Sequence, residues 1–305
     1  MSLLLIIEQL LNGIQLGVML FLVSSGLTLV FGVMGLINLA HGSLYMVGAF
    51  AAAYVASITG SFLAGIAASV VVSGLVGVLV EFTVMRKLYA RDHLDQVLAT
   101  FALILIFSEG TRLIFGSFPL YLSIPDYLSG PVTLPGGINY SLYRLVLIVI
   151  GLCIAIGMHL LISKTKLGIQ IRAGESDREM IASLGVNISK LYTVIFAIGA
   201  ALAGLSGALV GAIQSVQVGM GEPVLITAFV VVVIGGIGSI KGTFYAAILV
   251  GLVDTLGGYL LPILFISLFG SEAHETGATI ASMLVYILMA LVLLFKPTGL
   301  YGASQ

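Results

Sequence analysis

The stretch Val70-Val-Val-Ser-Gly-Leu-Val-Gly-Val-Leu-Val80 decides the fold class, because it carries no charge and no alternation of polar and apolar residues. A strand of a membrane barrel alternates over about ten residues, so this run reads as helix. It sits inside a longer apolar stretch, 62–84, and similar stretches recur at 9–31, 38–57, 96–116, 142–163, 191–213, 224–261 and 279–295. A helical crossing of a bilayer core takes about 20 residues. The chain therefore reads as an all-α polytopic membrane protein with eight or nine transmembrane helices, nine if 224–261 holds two short ones.

The composition agrees. Of 305 residues 60% are hydrophobic and only 8% charged, whereas a soluble domain has about a quarter charged. With 12 Lys and Arg against 13 Asp and Glu there is no basic excess for a nucleic-acid partner. The single cysteine, Cys153, lies within an apolar run and reads as a small hydrophobe. No Lys or Arg precedes Arg86, so a cleaved signal peptide is a poor reading and the first segment is expected to stay as a span.

Positive charge sets the orientation. Arg86, Lys87 and Arg91 share one connection, Lys164, Lys166, Arg172, Arg178 and Lys190 another, and Lys296 follows the last span, which places these regions in the cytoplasm. Alternation then puts 117–141, 214–222 and 262–278 outside, the first carrying Pro119, Pro125, Pro131 and Pro135. The whole chain, 1–305, reads as a single transmembrane domain, with 164–190 as a cytoplasmic loop and 117–141 as a periplasmic loop within it.

Small residues recur every fourth position in Gly199, Ala203, Gly207 and Gly211 and in Gly65, Ser69, Ser73 and Gly77, the spacing of close helix packing. A longer-range repeat appears at an offset of 200 residues: Gly35-Leu-Ile-Asn-Leu-Ala-His-Gly-Ser-Leu-Tyr45 aligns with Gly235-Gly-Ile-Gly-Ser-Ile-Lys-Gly-Thr-Phe-Tyr245. Paired glycine-interrupted segments in two halves are the mark of transporters with discontinuous helices. That makes Asn38, His41, Gly42, Ser43, Tyr45, Gly235, Gly236, Gly242 and Tyr245 candidates for a substrate pathway. The alternative is a pair of glycine turns at the membrane surface, and a simple count of spans puts both motifs on the same side.

Ionisable groups inside spans are few. Glu109 and Arg112 are spaced to pair on one helix face. Asp254 has no basic neighbour within a turn and is the possible intramembrane polar site, near a membrane end, bonded to another helix, or on a proton or substrate path. His93, His159 and His274 form no metal-ligand spacing, and no nucleophile and base are placed for catalysis.

The loop 164–190 has its own design. Ser176-Asp-Arg-Glu179 fits a capping box, Gly185 fits a helix stop, and Met180, Ile181 and Leu184 share an apolar face. This is a short amphipathic helix needing a partner protein or the bilayer interface to cover it.

Several stretches together resemble the permease subunits of bacterial ABC importers for branched-chain amino acids, in particular the shorter of the two permeases. They are Leu11-Asn-Gly-Ile-Gln-Leu-Gly17, Gly26-Leu-Thr-Leu-Val-Phe-Gly32, Ile37-Asn-Leu-Ala-His-Gly42, Ala228-Phe229 and Val233-Ile-Gly-Gly-Ile-Gly-Ser-Ile-Lys-Gly242. The resemblance implies that Glu179-Met-Ile-Ala-Ser-Leu-Gly185 is the ATPase-coupling segment, keeping the spacing of E-A-A-x-x-x-G with Met180 and Ile181 in place of the alanines. The coupling helix is expected over 174–185, taking in Gly174, Glu175 and Ser176. It further implies a second homologous permease, two ATP-binding cassette subunits, a periplasmic substrate-binding protein, and a place in the bacterial inner membrane. The substrate would be a branched-chain or related small amino acid. ATP and magnesium would sit on the partner subunits, since Gly235–Gly242 does not fit G-x-x-x-x-G-K-[ST]. The competing expectation is an ion-coupled secondary transporter using Asp254.

Overall fold

A computed structural model describes residues 3–89 and 91–302. Its long helices are α1 (Leu3–Met34), α2 (His41–Thr59), α3 (Phe62–Val80), α4 (His93–Phe115) and α5 (Leu142–Lys164). A π turn, Glu81–Met85, and a last turn, Arg86–Leu88, prolong α3. Two short helices follow, α6 (Lys166–Ser176) and α7 (Arg178–Ser183), then α8 (Ile188–Gly211), α9 (Gly221–Gly235), α10 (Ile240–Phe269) and α11 (His274–Phe295). One small hairpin, β1 (Pro131–Leu134) with β2 (Ile138–Ser141), pairs antiparallel in the loop between α4 and α5.

Eight of the described helices are long and apolar enough to cross a membrane. The ninth apolar helix, α9, has 15 residues, about 22 Å of rise against a core of about 30 Å. The apolar tract 224–261 thus divides into a helix too short to cross and a long one, with the break at 236–239. All the clustered basic residues fall at one end of the bundle: the ends of α3, α5 and α11, the helices α6 and α7, and the start of α8. This is the end for which the distribution of charge predicts a cytoplasmic place.

The core is built around α1, which is buried on every side from Gly17 to Val30. A helix apolar all round belongs in the middle of a bundle. Against it lies α8, antiparallel: Tyr192 donates to Val33 O (3.4 Å), Gly199 abuts Gly26, and Ser206 donates to Met19 O (3.1 Å). On another side α10 also runs antiparallel to α1, with Thr28 and Thr243 hydroxyls 2.8 Å apart and Gly17 against Ala247 and Ile248. The glycine and serine stripes are packing seams, for Ser73 donates to Leu44 O (3.2 Å) and Gly77 faces Ala200.

The order of elements repeats. Helix α1 ends at Met34 and α8 at Gly211; α2 starts at His41 and α9 at Gly221; α3 starts at Phe62 and α10 at Ile240; α4 starts at His93 and α11 at His274. The offset is about 180 residues throughout, and because α8 opposes α1, the two halves are inverted in the membrane. The offset of 200 read from sequence is therefore not the structural repeat: the counterpart of 35–45 is 212–222, and 235–245 lies one connection later.

Candidate functional site

The first break follows Gly35, whose φ of +65° closes α1 with a bond from its N–H to Phe31 O (2.9 Å). The chain then turns back along α1 as unwound backbone. Leu36, Asn38 and Ala40 are buried, and Asn38 holds the turn by accepting from Ala40 N (3.1 Å) and, through its carbonyl, from His41 N (3.3 Å). The Asn38 amide nitrogen finds no partner among the described residues. His41 opens α2 with its Nε2 3.1 Å from Val23 O. Val23 stands eleven residues before the end of α1, about 16 Å at 1.5 Å per residue. So α2 begins near the middle of a core about 30 Å thick, where irregular backbone survives only when protein covers it.

The second break enters from the opposite side. Beyond α8, Val216 pairs with Leu120 of the outer loop through two 2.9 Å bonds, and Gly219, at φ +88°, brings its N–H to 3.4 Å from the Met46 sulfur. Helix α9 then starts with Gly221 directly against Gly42: a methyl group on Gly42 would lie 2.9 Å from the Gly221 carbonyl carbon. Two helix amino termini, one from each inverted half, meet at mid-depth, and only a glycine pair lets their backbones touch.

Around this junction Ser43, Met46, Ile104, Ser108, Glu222 and Leu225 line a crevice with no room for a water molecule. The carboxylate of Glu222 is exposed beside it, accepting from the Ser108 hydroxyl at 3.4 Å. A carboxylate at this depth is costly unless it faces water or a partner. Sequence reasoning missed Glu222 because 214–222 read as an outer loop. Its signal was Gly219-Met-Gly-Glu-Pro223, an acid and a proline in the first turn of a helix too short to cross.

The pathway candidates therefore separate. Asn38, His41, Gly42, Ser43 and Tyr45 gather at mid-depth, with Tyr45 fully buried in the core and its carbonyl against Gly207. Gly235, Gly236, Gly242 and Tyr245 lie at the basic end. There Gly235 and Gly242 touch backbone to backbone, and the tail crosses them with bonds from Leu300 N to Ile234 O (2.8 Å) and Tyr301 N to Gly235 O (3.0 Å). Tyr301 stacks on Tyr245 at 5.4 Å. The structure does not bring the two groups together.

Two details of the coupling segment also differ from expectation. It is two helices, not one over 174–185: α6 ends at Ser176, and the cap of α7 is Asp177, whose carboxylate accepts from Glu179 N (3.0 Å) and Met180 N (2.9 Å). Aspartate wins over Ser176 because its charge and its reach suit the free N–H groups one residue later. Gly174 packs under Val33 and Leu191, and Glu175 reaches Gly32 and Gly238 at the break before α10. Burial raises the pKa of the Glu175 carboxyl. The helix stop is a Schellman turn, with Val186 N bonded to Ile181 O (3.2 Å), Gly185 N to Ala182 O (3.0 Å) and Gly185 at φ +88°. Ile181 is buried as the anchor, while Met180 and Leu184 stand 62% and 77% exposed.

Glu109 and Arg112 pair as expected (2.6 Å) on the exposed surface, where such a pair contributes little. Asp254 is exposed on α10, without a hydrogen bond or ion pair among the described residues, which leaves its bonding to another helix unsupported.

Residues 9–294 match the family model described as branched-chain amino acid transport system / permease component. The chain is 30% identical to the high-affinity branched-chain amino acid transport system permease protein BraD of Pseudomonas aeruginosa, covering 98% of this chain and 96% of that one. It is 26% identical to the permease protein LivH of Escherichia coli over the same shares. A probable branched-chain amino acid transport permease of Methanocaldococcus jannaschii is 27% identical over 94% of this chain and 89% of its own length. No solved structure matches.

Proposed function

The chain belongs to the permease component family of branched-chain amino acid transport systems, and from that premise we propose that it forms half of the membrane pathway of an ATP-driven importer in the bacterial inner membrane. The carrying observation is the meeting of two inverted helix breaks at mid-depth, Gly42 against Gly221, with Glu222 exposed beside them. A second homologous permease faces that surface, and a branched-chain or related small amino acid passes between the two, delivered by a periplasmic binding protein. Ser43, Ser108 and Glu222 are the polar groups it meets, and Glu222 suits the ammonium group of an amino acid. Asn38 and His41 hold the backbone turn that presents them. The family match favours this reading over an ion-coupled transporter centred on Asp254.

The energy comes from two ATP-binding cassette subunits, which hold ATP and magnesium. One of them docks on α7 through Met180 and Leu184, the exposed face left by burial of Ile181. Movement of α7 passes through the Asp177 cap to α6, and from Gly174 and Glu175 to the end of α1, the start of α8 and the break before α10. Leu184→Arg is expected to cut co-purification of the ATPase subunits on the order of tenfold or more, with membrane insertion unchanged, since the side chain touches solvent and not the bundle. Undiminished ATPase capture and uptake would remove the docking assignment.

A further inference from the structure

Helices α5 and α10 scarcely touch, and two adjoining spaces lie beside their contact, sharing His159, Ile240 and Lys241 in their linings. At the basic end a cavity of about 360 Å³ is lined by His159, Arg172, Glu175 and Lys241 among others. Beside it a lateral groove of about 370 Å³ runs along Phe21, Leu152, Ile156 and Phe244, with His159 and Lys241 lining both. The apolar walls are open to the side, Ile156 being 60% exposed. His159 lies five residues before the end of α5, about 7.5 Å inside it.

Lys241, which lines both spaces, has no ion-pair partner among the described residues. Among the described residues the ion pairs are Glu81 with Arg86 and Glu109 with Arg112, so neither Lys241 nor His159 is engaged in one. Arg172 bonds the Ile162 carbonyl through one nitrogen and keeps its other donors. The acid in the cavity, Glu175, is turned toward Gly32 and Gly238.

We propose that this groove holds one anionic phospholipid, its phosphate bound by Lys241, His159 and Arg172 and one acyl chain lying along Leu152, Ile156 and Phe244. The charged donors Lys241 and Arg172, with the His159 ring beside them at the basic end, open onto an apolar slot and match the amphipathic shape of such a lipid. The site lies where Glu175 of α6 meets the break before α10, so, resting on the function proposed above, a bound lipid would stiffen a contact on the path of the ATPase stroke.

The test is native mass spectrometry of the full chain released from nanodiscs of phosphatidylglycerol and phosphatidylcholine in equal parts. One phosphatidylglycerol is expected to remain bound, with occupancy falling about fivefold for Lys241→Gln and further for the double variant with His159→Gln. Ile156→Trp, which fills the slot from its exposed side and leaves the cations intact, is expected to expel the lipid as well. Inorganic phosphate at constant ionic strength is expected not to displace it. Equal retention of the two lipids, unchanged occupancy in the variants, or displacement by free phosphate would each overturn the proposal, the last by assigning the cations to a soluble anion.

Discussion

Arg86→Met is expected to cost about 3–5 kcal/mol of stability, more than Glu81→Gln, although both changes break the same ion pair. The asymmetry lies in burial. The Glu81 side chain is 0% exposed and Arg86 33%, with Nε to Oε1 at 3.0 Å. Glu81 also accepts from the Tyr89 hydroxyl (2.9 Å) and the Thr193 hydroxyl (2.8 Å), so the group ties the end of α3 to α8. Removing the arginine strands a buried carboxylate on two hydroxyl donors. Neutralising Glu81 instead leaves a guanidinium that still reaches water, Thr193 (2.8 Å) and the Phe82 ring (4.6 Å), a loss of about 1.5–3 kcal/mol, that of one hydrogen bond to a charged group. The double variant should then be more stable than Arg86→Met alone. Thermal unfolding of the three in one detergent checks the order; equal losses, or an additive double variant, would refute it.

Gly48→Leu is expected to prevent the bundle from closing. A Cβ on Gly48 would lie 2.6 Å from the Gly204 carbonyl oxygen, backbone against backbone, so no side-chain rotation relieves it. Even alanine must push α2 from α8, at a cost of about 1–3 kcal/mol for one added methyl. Leucine also displaces Ser73, which sits against Gly204 from α3. Gly157→Leu is the control, because nothing lies within 4 Å of a Cβ built there. Size-exclusion profiles should show the Gly48 variant aggregated and the Gly157 variant monodisperse; a monodisperse Gly48→Leu would mean the α2–α8 seam is looser than described.

The helical class, the spans and the basic end were legible because each follows from local pattern: an uninterrupted run such as Val70–Val80 can satisfy its backbone in lipid only as helix. Depth was not legible. Nothing in Gln214–Met220 distinguishes an outer loop from a re-entrant one; its place comes from contacts with α2, Gly219 on Met46 and Gly221 on Gly42. The offset of 200 misled for a related reason, since Gly35–Gly42 and Gly235–Gly242 both answer the need of a sharp turn between helices, whatever its depth. The Glu81–Arg86 pair escaped notice because helical neighbours are three or four apart. Five apart meet only in the π turn of Glu81–Met85. Ser176 looked like a cap by motif, and the residue after it proved to have the better acceptor.

The proposed place of Glu222 on a water-filled pathway at mid-depth is tested most directly by thiol accessibility. Glu222→Cys in the assembled transporter, in sealed vesicles, should react with a membrane-impermeant cationic methanethiosulfonate. The native Cys153, exposed on the apolar flank of α5, serves as the internal control and should stay unmodified. Reaction at position 222 but not at 153 is the expected result; no reaction at 222, or equal reaction at both, would contradict a pathway at the Gly42–Gly221 junction.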